Sequence, residues 1–256
     1  MKFTGAALKT KFKATGVHLS MSIAVFAYLS YQIYFNWYPQ PYFEVDGGWQ
    51  GIRLVAAVDL VLGPFITFLI FDLSKSRRAI IFDLLVIATI QFGALAYGVY
   101  MTYTQRPIAI VMIDDFVISA TGEHYGGKLK SVSQLQQYSD EKPPIIFSDL
   151  PLDAEALAEI NRIKLEEHVL EHAQMQLYRG KPELLQALQR KQVVFNDQLD
   201  KYQARDRFEA WLKENGKTSA EVLIAMFSGR YGRAWLVFDL EGSYLGYFFD
   251  KQLSVE

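Results

Sequence analysis

The chain contains no cysteine, which excludes disulfide stapling, thiolate zinc sites and thiol catalysis together. It also lacks a basic surplus. Twenty-six Lys and Arg face 28 Asp and Glu, a net charge of −2, so the charge balance gives no footprint for nucleic acid. There is no phosphate loop of the form G-x-x-x-x-G-K-[ST], no G-x-S-x-G nucleophile elbow and no paired metal cluster. Gly126-Gly127-Lys128 does not make up for this, because the earlier glycine and the following helix signal are missing. Charge itself is scarce early in the chain. Residues 1–104 hold eight Lys and Arg and five Asp and Glu, against 18 and 23 in the remainder. With 51% hydrophobic content in 256 residues, this asymmetry divides the chain into a membrane region and a soluble domain. At about 150 residues such a domain buries enough apolar surface to be stable without crosslinks.

Three runs are long enough to cross a bilayer: residues 17–37, 52–71 and 79–101, each near the roughly 20 residues required. The first contains no charged residue and follows Lys2, Lys9, Lys11 and Lys13. It leads into Tyr34, Phe35, Trp37 and Tyr38 rather than a small-x-small site, so it reads as an uncleaved signal anchor. The second and third runs are joined by DLSKSRR, whose Lys75, Arg77 and Arg78 belong on the cytoplasmic side with the N-terminal lysines. The connection from 38 to 50 carries only Glu44 and Asp46. The expected layout is a cytoplasmic N-terminus (1–16), a three-helix transmembrane region (17–104) and a periplasmic domain (105–256) in a bacterial inner membrane. Ten aromatic residues, from Tyr31 to Tyr103, gather near the outer interface in this layout.

Polar groups inside the spans are costly in lipid and need partners. At 1.5 Å per residue, Asp59 and Gln91 both lie about 18 to 20 Å from the basic loop, so a bond between them is expected. His18 and Asp83 share a depth about one turn inside the cytoplasmic edge, which suggests a second pair. These groups read either as polar glue and helix docking or as a proton or ion relay; three helices leave little room for a translocation path. Gly63-Pro64 weakens the second helix. Gly93 and Gly98, with Ala94 and Ala96, give the third a small-residue side.

The remainder predicts an α+β fold with an antiparallel sheet. Residues 108–113 and 116–120 form a first hairpin and 234–240 and 244–249 a last one, the two sharing the sheet. A short helix is expected over 131–138 and a short strand at 145–147. Asp153 is an N-cap for a helix over 154–178, Pro182 begins one running to about 191, and 205–214 and 219–227 are further helices. Within the first of these, His168-Val169-Leu170-Glu171-His172 matches H-x-x-E-H, in which two histidines on one helical face hold zinc and a glutamate activates water. At 100° per residue both histidines point about 140° to 180° away from the apolar stripe, onto the solvent face, and no third ligand is identified. No cofactor and no metal are expected.

Two passages resemble a known family. FEVDGGWQGIRLVAAVDLVLGPFITFLIFD (43–72) and FDLLVIATIQFGALAYGVYMTYTQRPIAIV (82–111) are similar to the bacterial type IV pilin accessory proteins, which share an Asp-Gly-Gly-Trp-Gln-Gly segment and a Val-Asp-Leu-Val-Leu-Gly-Pro span. The resemblance covers roughly residues 15–111 and fades in the soluble domain. It implies a non-enzymatic accessory role in pilus assembly or dynamics, with a cognate type IV pilin as partner, other pilus-assembly proteins and membrane lipid beside it, and no nucleic acid. A pilin waiting in the membrane has a carboxylate near the outer end of its helix. Asp46, Trp49, Gln50 and Arg53 stand at that height and are the candidate partner contacts; the competing reading has Arg53 reach up to phosphate headgroups and residues 46–50 form a reverse turn. A scaffold or sensor of other envelope machinery, and a membrane metallopeptidase, are the competing readings.

Overall fold

The computed structural model describes residues 5–70 and 75–250; Lys2, Phe71 and residues 72–74 of the basic loop lie outside the described residues. The chain forms two compact units. One comprises Met1–Trp37 and Gly48–Tyr103, the other Tyr38–Gly47 and Thr104–Glu256. The short connection between the first two apolar helices therefore groups with the second unit.

In the first unit, α1 (Gly5–Tyr31) continues into a π-helical turn, Gln32–Trp37. After α2 (Tyr42–Val45), which belongs to the other unit, α3 (Gly48–Ala56), a second π turn (Ala57–Leu62) and α4 (Gly63–Ile70) form one stretch; α5 (Arg77–Thr104) is unbroken. Three helices, Lys9–Trp37, Gly48–Ile70 and Arg77–Thr104, are long and apolar enough to cross a membrane. The π turn over Ala57–Leu62 has a local cause. Pro64 has no N–H to give, and its ring crowds the carbonyl four residues earlier, so the ladder widens just before it. Small residues let the second and third helices approach. A Cβ on Gly51 would lie 2.6 Å from Thr102 Cγ2, and one on Gly63 would lie 2.4 Å from Gln91 Nε2. Gly98 packs on Leu54, but a Cβ on Gly93 would meet nothing within 4 Å, so only part of the expected small-residue side is used here.

The second unit is built on a seven-stranded mixed sheet of order β4-β3-β1-β2-β5-β6-β7. Its strands are β1 (Ala109–Ile113), β2 (Phe116–Ala120), β3 (Ile145–Ser148), β4 (Tyr178–Arg179), β5 (Leu223–Ser228), β6 (Arg233–Phe238) and β7 (Tyr244–Phe249). The expected antiparallel sheet is corrected at two joins: β1 pairs β3 in parallel, and β2 pairs β5 in parallel. Both faces are buried, which explains why residues 108–113 read as a continuous apolar run rather than an alternating one. Ile110 and Met112 enter one core with Phe195, Trp235 and Phe227, while Ala109 and Val111 enter another with Tyr125, Leu135 and Ile146.

Helices pack against both cores. Asp153 caps α6 (Ala154–Glu166), its side chain accepting from the Ala156 N–H at 2.8 Å. That helix stops twelve residues before the expected end. His168 adopts φ 56°, and the chain turns so that Val169 and Ala173 enter the second core, with the buried Gln174 amide donating to the Ile160 carbonyl at 2.8 Å. Helix-forming side chains predict continuation here, and core packing overrides them. α7 (Lys181–Lys201) extends well past residue 191, and α8 (Arg205–Glu214) has the expected bounds. The helix expected over 219–227 is a single 3-10 turn, Ser219–Glu221, followed by β5. Thr218 and Glu221 form a capping box, a true helix-start signal, but residues 223–227 of β5 are all buried in the sheet. The helix expected over 131–138 is a 3-10 segment, Val132–Gln137.

Candidate functional site

Two constellations of functional character emerge, one in each unit. In the soluble unit, the connection Tyr38–Gly47 acts as a strap laid against the β5–β6 turn. The Tyr231 N–H donates to the Val45 carbonyl at 2.8 Å, and the Tyr42 ring stacks edge-on against Phe227 with centroids 5.0 Å apart. Tyr42 and Val45 thereby join the main core. The strap ends in Asp46, which is fully buried. Its Oδ1 accepts from the Arg230 backbone N–H and Nε, each at 3.2 Å, across 184 residues of sequence. Arg230 Nη2 donates to the Asp46 and Gln105 carbonyls, and Nη1 donates to Gln105 Oε1 at 3.1 Å. Burial alone would lower the Arg230 guanidinium, but Asp46 and the hydrogen-bonded Tyr38 outweigh it and hold it above its ordinary value. Tyr38 is itself pushed up by burial, against the opposing pull of Arg230.

Backbone shape fits this contact. Gly229 and Gly232 close the turn with a 2.9 Å bond, and a Cβ on Gly229 would stand 2.3 Å from the Val45 carbonyl oxygen. Gly47 has φ +120°, a conformation L side chains rarely adopt, and lies against Arg230 and Tyr38.

In the membrane-type unit, Asp59 sits in the π turn, 3% exposed. The structure brings Gln91 to it, as equal depth suggested: Gln91 Nε2 donates to Asp59 Oδ1 at 2.8 Å. Ser22 on the first helix donates to the same oxygen at 3.0 Å, a partner the sequence reading did not identify. The other expected pair is not formed. His18 Nδ1 lies 2.7 Å from Thr67 Oγ1, and Thr67 spends its hydroxyl proton on the Gly63 carbonyl, so His18 is the donor. Asp83 pairs instead with Lys75 at 2.5 Å, a cation beside it at the end of the span.

The four candidate contact residues divide between the units. Asp46 is enclosed by the soluble unit, where Arg230 is its partner; Trp49, Gln50 and Arg53 begin α3 in the other unit. The Arg53 guanidinium lies 5.3 Å from the Trp49 ring centroid, a cation–π arrangement, and Gln50 Oε1 is buried without a hydrogen-bond partner. A single sequence signals Arg230 only as a charge inside a Gly-Arg-Tyr-Gly turn.

The H-x-x-E-H pattern is dismantled by the fold. His168 lies past the end of α6 and His172 in a separate 3-10 turn, so the two do not share a helical face. Among the described residues no group of three or more His, Cys, Asp or Glu is placed to hold a metal. His172 meets His124 instead, Nε2 to Nδ1 at 2.9 Å. His124 Nδ1 also accepts from the Thr121 N–H at 3.3 Å, so His172 must be the donor and His124 the neutral acceptor. Burial, then His124, lowers the His172 pKa to about 4, and burial followed by Arg230 lowers that of His124.

This pair makes a pH prediction. The folded pKa of His172 lies below its ordinary 6.5, so the unfolded chain binds the extra proton first. Stability is complete above pH 6.5 and falls as pH drops toward about 4. The loss is on the order of 1–3 kcal/mol for this partly buried group. Thermal unfolding across that window should show a shallower pH slope in His172→Gln than in the natural protein; parallel slopes would remove His172 as the cause.

The sequence pattern of the family described as fimbrial assembly protein FimB matches residues 6–47, the first apolar helix together with the strap. A fimbrial assembly protein of Dichelobacter nodosus, serogroups C1 and C2, is 35% identical over 112 residues, covering 43% of this chain and 86% of that protein. The serogroup I protein is 36% identical over 99 residues and the serogroup E1 protein 34% over 112. These alignments cover 39% and 43% of this chain, and 38% and 44% of the respective relatives, so the match spans less than half of each. No solved structure matches. With the expected resemblance and the matched relatives in agreement, the chain belongs to the FimB family of fimbrial assembly proteins.

Proposed function

We propose that this protein is a membrane-anchored, non-enzymatic accessory factor of fimbrial assembly, which binds a cognate type IV pilin in the bacterial inner membrane and supports pilus assembly or dynamics. The observation that carries this reading is kinship to proteins named for fimbrial assembly, in a chain with three membrane-length helices. Basic residues at both cytoplasmic-type positions, including Lys9, Lys11, Lys75 and Arg77, favour an N-terminus in the cytoplasm and a soluble unit in the periplasm. Trp49, Gln50 and Arg53 remain the proposed contact for the outer part of the pilin helix. Asp46 has a different part, holding the strap. The separation of His168 from His172 argues against the metallopeptidase reading.

Deletion of the gene is expected to reduce surface pili, and tagged protein should co-purify with pilin from mild detergent. A photo-crosslinker at position 53 should label pilin. Normal pilus counts in the deletion strain together with no pilin in the eluate would refute the reading. A periplasm-specific reporter fused after residue 250 should be active and one inserted after Arg78 silent; the reverse pattern would overturn the orientation.

A further inference from the structure

The first and third apolar helices do not close on one another. Between them runs a groove of about 710 Å³, continued lengthwise by a second segment of about 570 Å³. Its walls reach from Thr10 to Leu29 on α1 and from Leu84 to Val99 on α5. At 1.5 Å per residue these are about 28 Å and 22 Å of helix, most of a hydrocarbon core. The wall residues follow a helical seam. On α1 they include His18, Met21, Val25 and Tyr28, and on α5 Ala88, Gln91, Leu95 and Val99, spaced by three and four in each case. That spacing presents holes for the side chains of another helix laid alongside.

The floor of the groove is not apolar throughout. Asp59 lines it near mid-depth, with Oδ1 occupied by Ser22 and Gln91 and Oδ2 buried without any hydrogen-bond partner. An acceptor left open in hydrocarbon is expensive, and lipid tails carry no donor. The two observations, a helix-spaced groove and a buried, unpaired carboxylate oxygen on a residue that lines it, select the same occupant. We infer that the groove between α1 and α5 receives one transmembrane helix of a second protein, and that this helix carries a hydroxyl, amide or ammonium donor opposite Asp59. That the second protein is the pilin rests on the function proposed above; the occupant's chemistry does not.

The test uses the full-length protein in native membranes, with a photo-crosslinking residue at position 25 or 88 in the groove, or at Leu85, which is exposed and does not line it. The expected result is a protein adduct from 25 and 88, mapped by mass spectrometry to a membrane-spanning segment with a donor side chain, and lipid adducts from 85. Asp59→Leu should lower the adduct yield from position 88 by about 3- to 10-fold, the range of a single interhelical hydrogen bond. Ala88→Trp, which fills the groove and leaves the Asp59 bonds in place, should abolish the adduct from position 25 while labelling from 85 is unchanged. Lipid adducts alone from 25 and 88, adducts between two copies of this chain, or yields indifferent to both substitutions would overturn the inference. Capture of pilin supports both proposals. An adduct with the spanning helix of a different protein supports the groove and refutes the pilin partner. Pilin captured at position 53, with lipid alone in the groove, does the opposite.

Discussion

Replacing Asp46 by alanine is expected to lower the stability of the soluble unit by about 3 kcal/mol, at the lower end of the cost of removing one partner from a buried ion pair. The magnitude follows from an asymmetry in the pair. Asp46 is fully buried, but the Arg230 side chain is 35% exposed. A guanidinium left alone therefore recovers some water, and its remaining bonds to Gln105 persist. What it loses is the contact that fastens the strap. Tyr42 and Val45 are then held by apolar packing, by the Tyr231 to Val45 bond and by the Arg230 bond to the carbonyl of residue 46. For a domain near 150 residues the expected fall in melting temperature is about 6 to 12 °C. Limited proteolysis should also become faster within Tyr38–Gly47, the segment that bridges the first two spans. A melting temperature within about 2 °C of the natural protein would show that the ion pair adds nothing net to the docked strap.

Gly229→Ala is expected to give nearly the same phenotype by a different route. Its new Cβ would lie 2.3 Å from the Val45 oxygen and 2.8 Å from the Val45 carbonyl carbon. These are backbone atoms, so no rotamer change relieves the clash, and either the turn or the strap must move. Overpacking of this kind costs about 1–3 kcal/mol. The cost has a ceiling, because once the strap has left its seat nothing remains to clash. Asp46→Ala and Gly229→Ala should therefore combine to less than the sum of their separate effects, as residues that share a contact do. Strict additivity in a double-mutant cycle would mean that the two positions act on separate structures.

The parts legible in the sequence share a physical cause: they are written by neighbours in the chain. Three membrane-length helices follow from local length and hydropathy. Asp153 as N-cap, the bounds of α8 and the β6–β7 hairpin follow from capping, periodicity and a Glu-Gly-Ser turn. The Asp59–Gln91 bond was reachable because helical rise converts position to depth. The errors lie where long-range packing overrides a sound local signal. Residues 167–178 carry helix-forming side chains but are drawn into the second core, and 219–227 begins with a good capping box yet supplies a buried strand. Likewise His18 meets Thr67 on the neighbouring helix, while Asp83 has a lysine at hand.

The sequence by itself determined that this protein has three apolar helices, a separate α+β unit and a kinship with pilus accessory proteins, since each depends on composition or motif along a continuous stretch. Only the tertiary structure decided that the first connection groups with the second unit, that Asp46 answers Arg230 across 184 residues, and that Asp59, lining a groove, keeps one buried oxygen unpaired. A charge pair so distant in sequence leaves no periodic trace, and an unfilled acceptor becomes visible only once every neighbour that might have filled it has been placed.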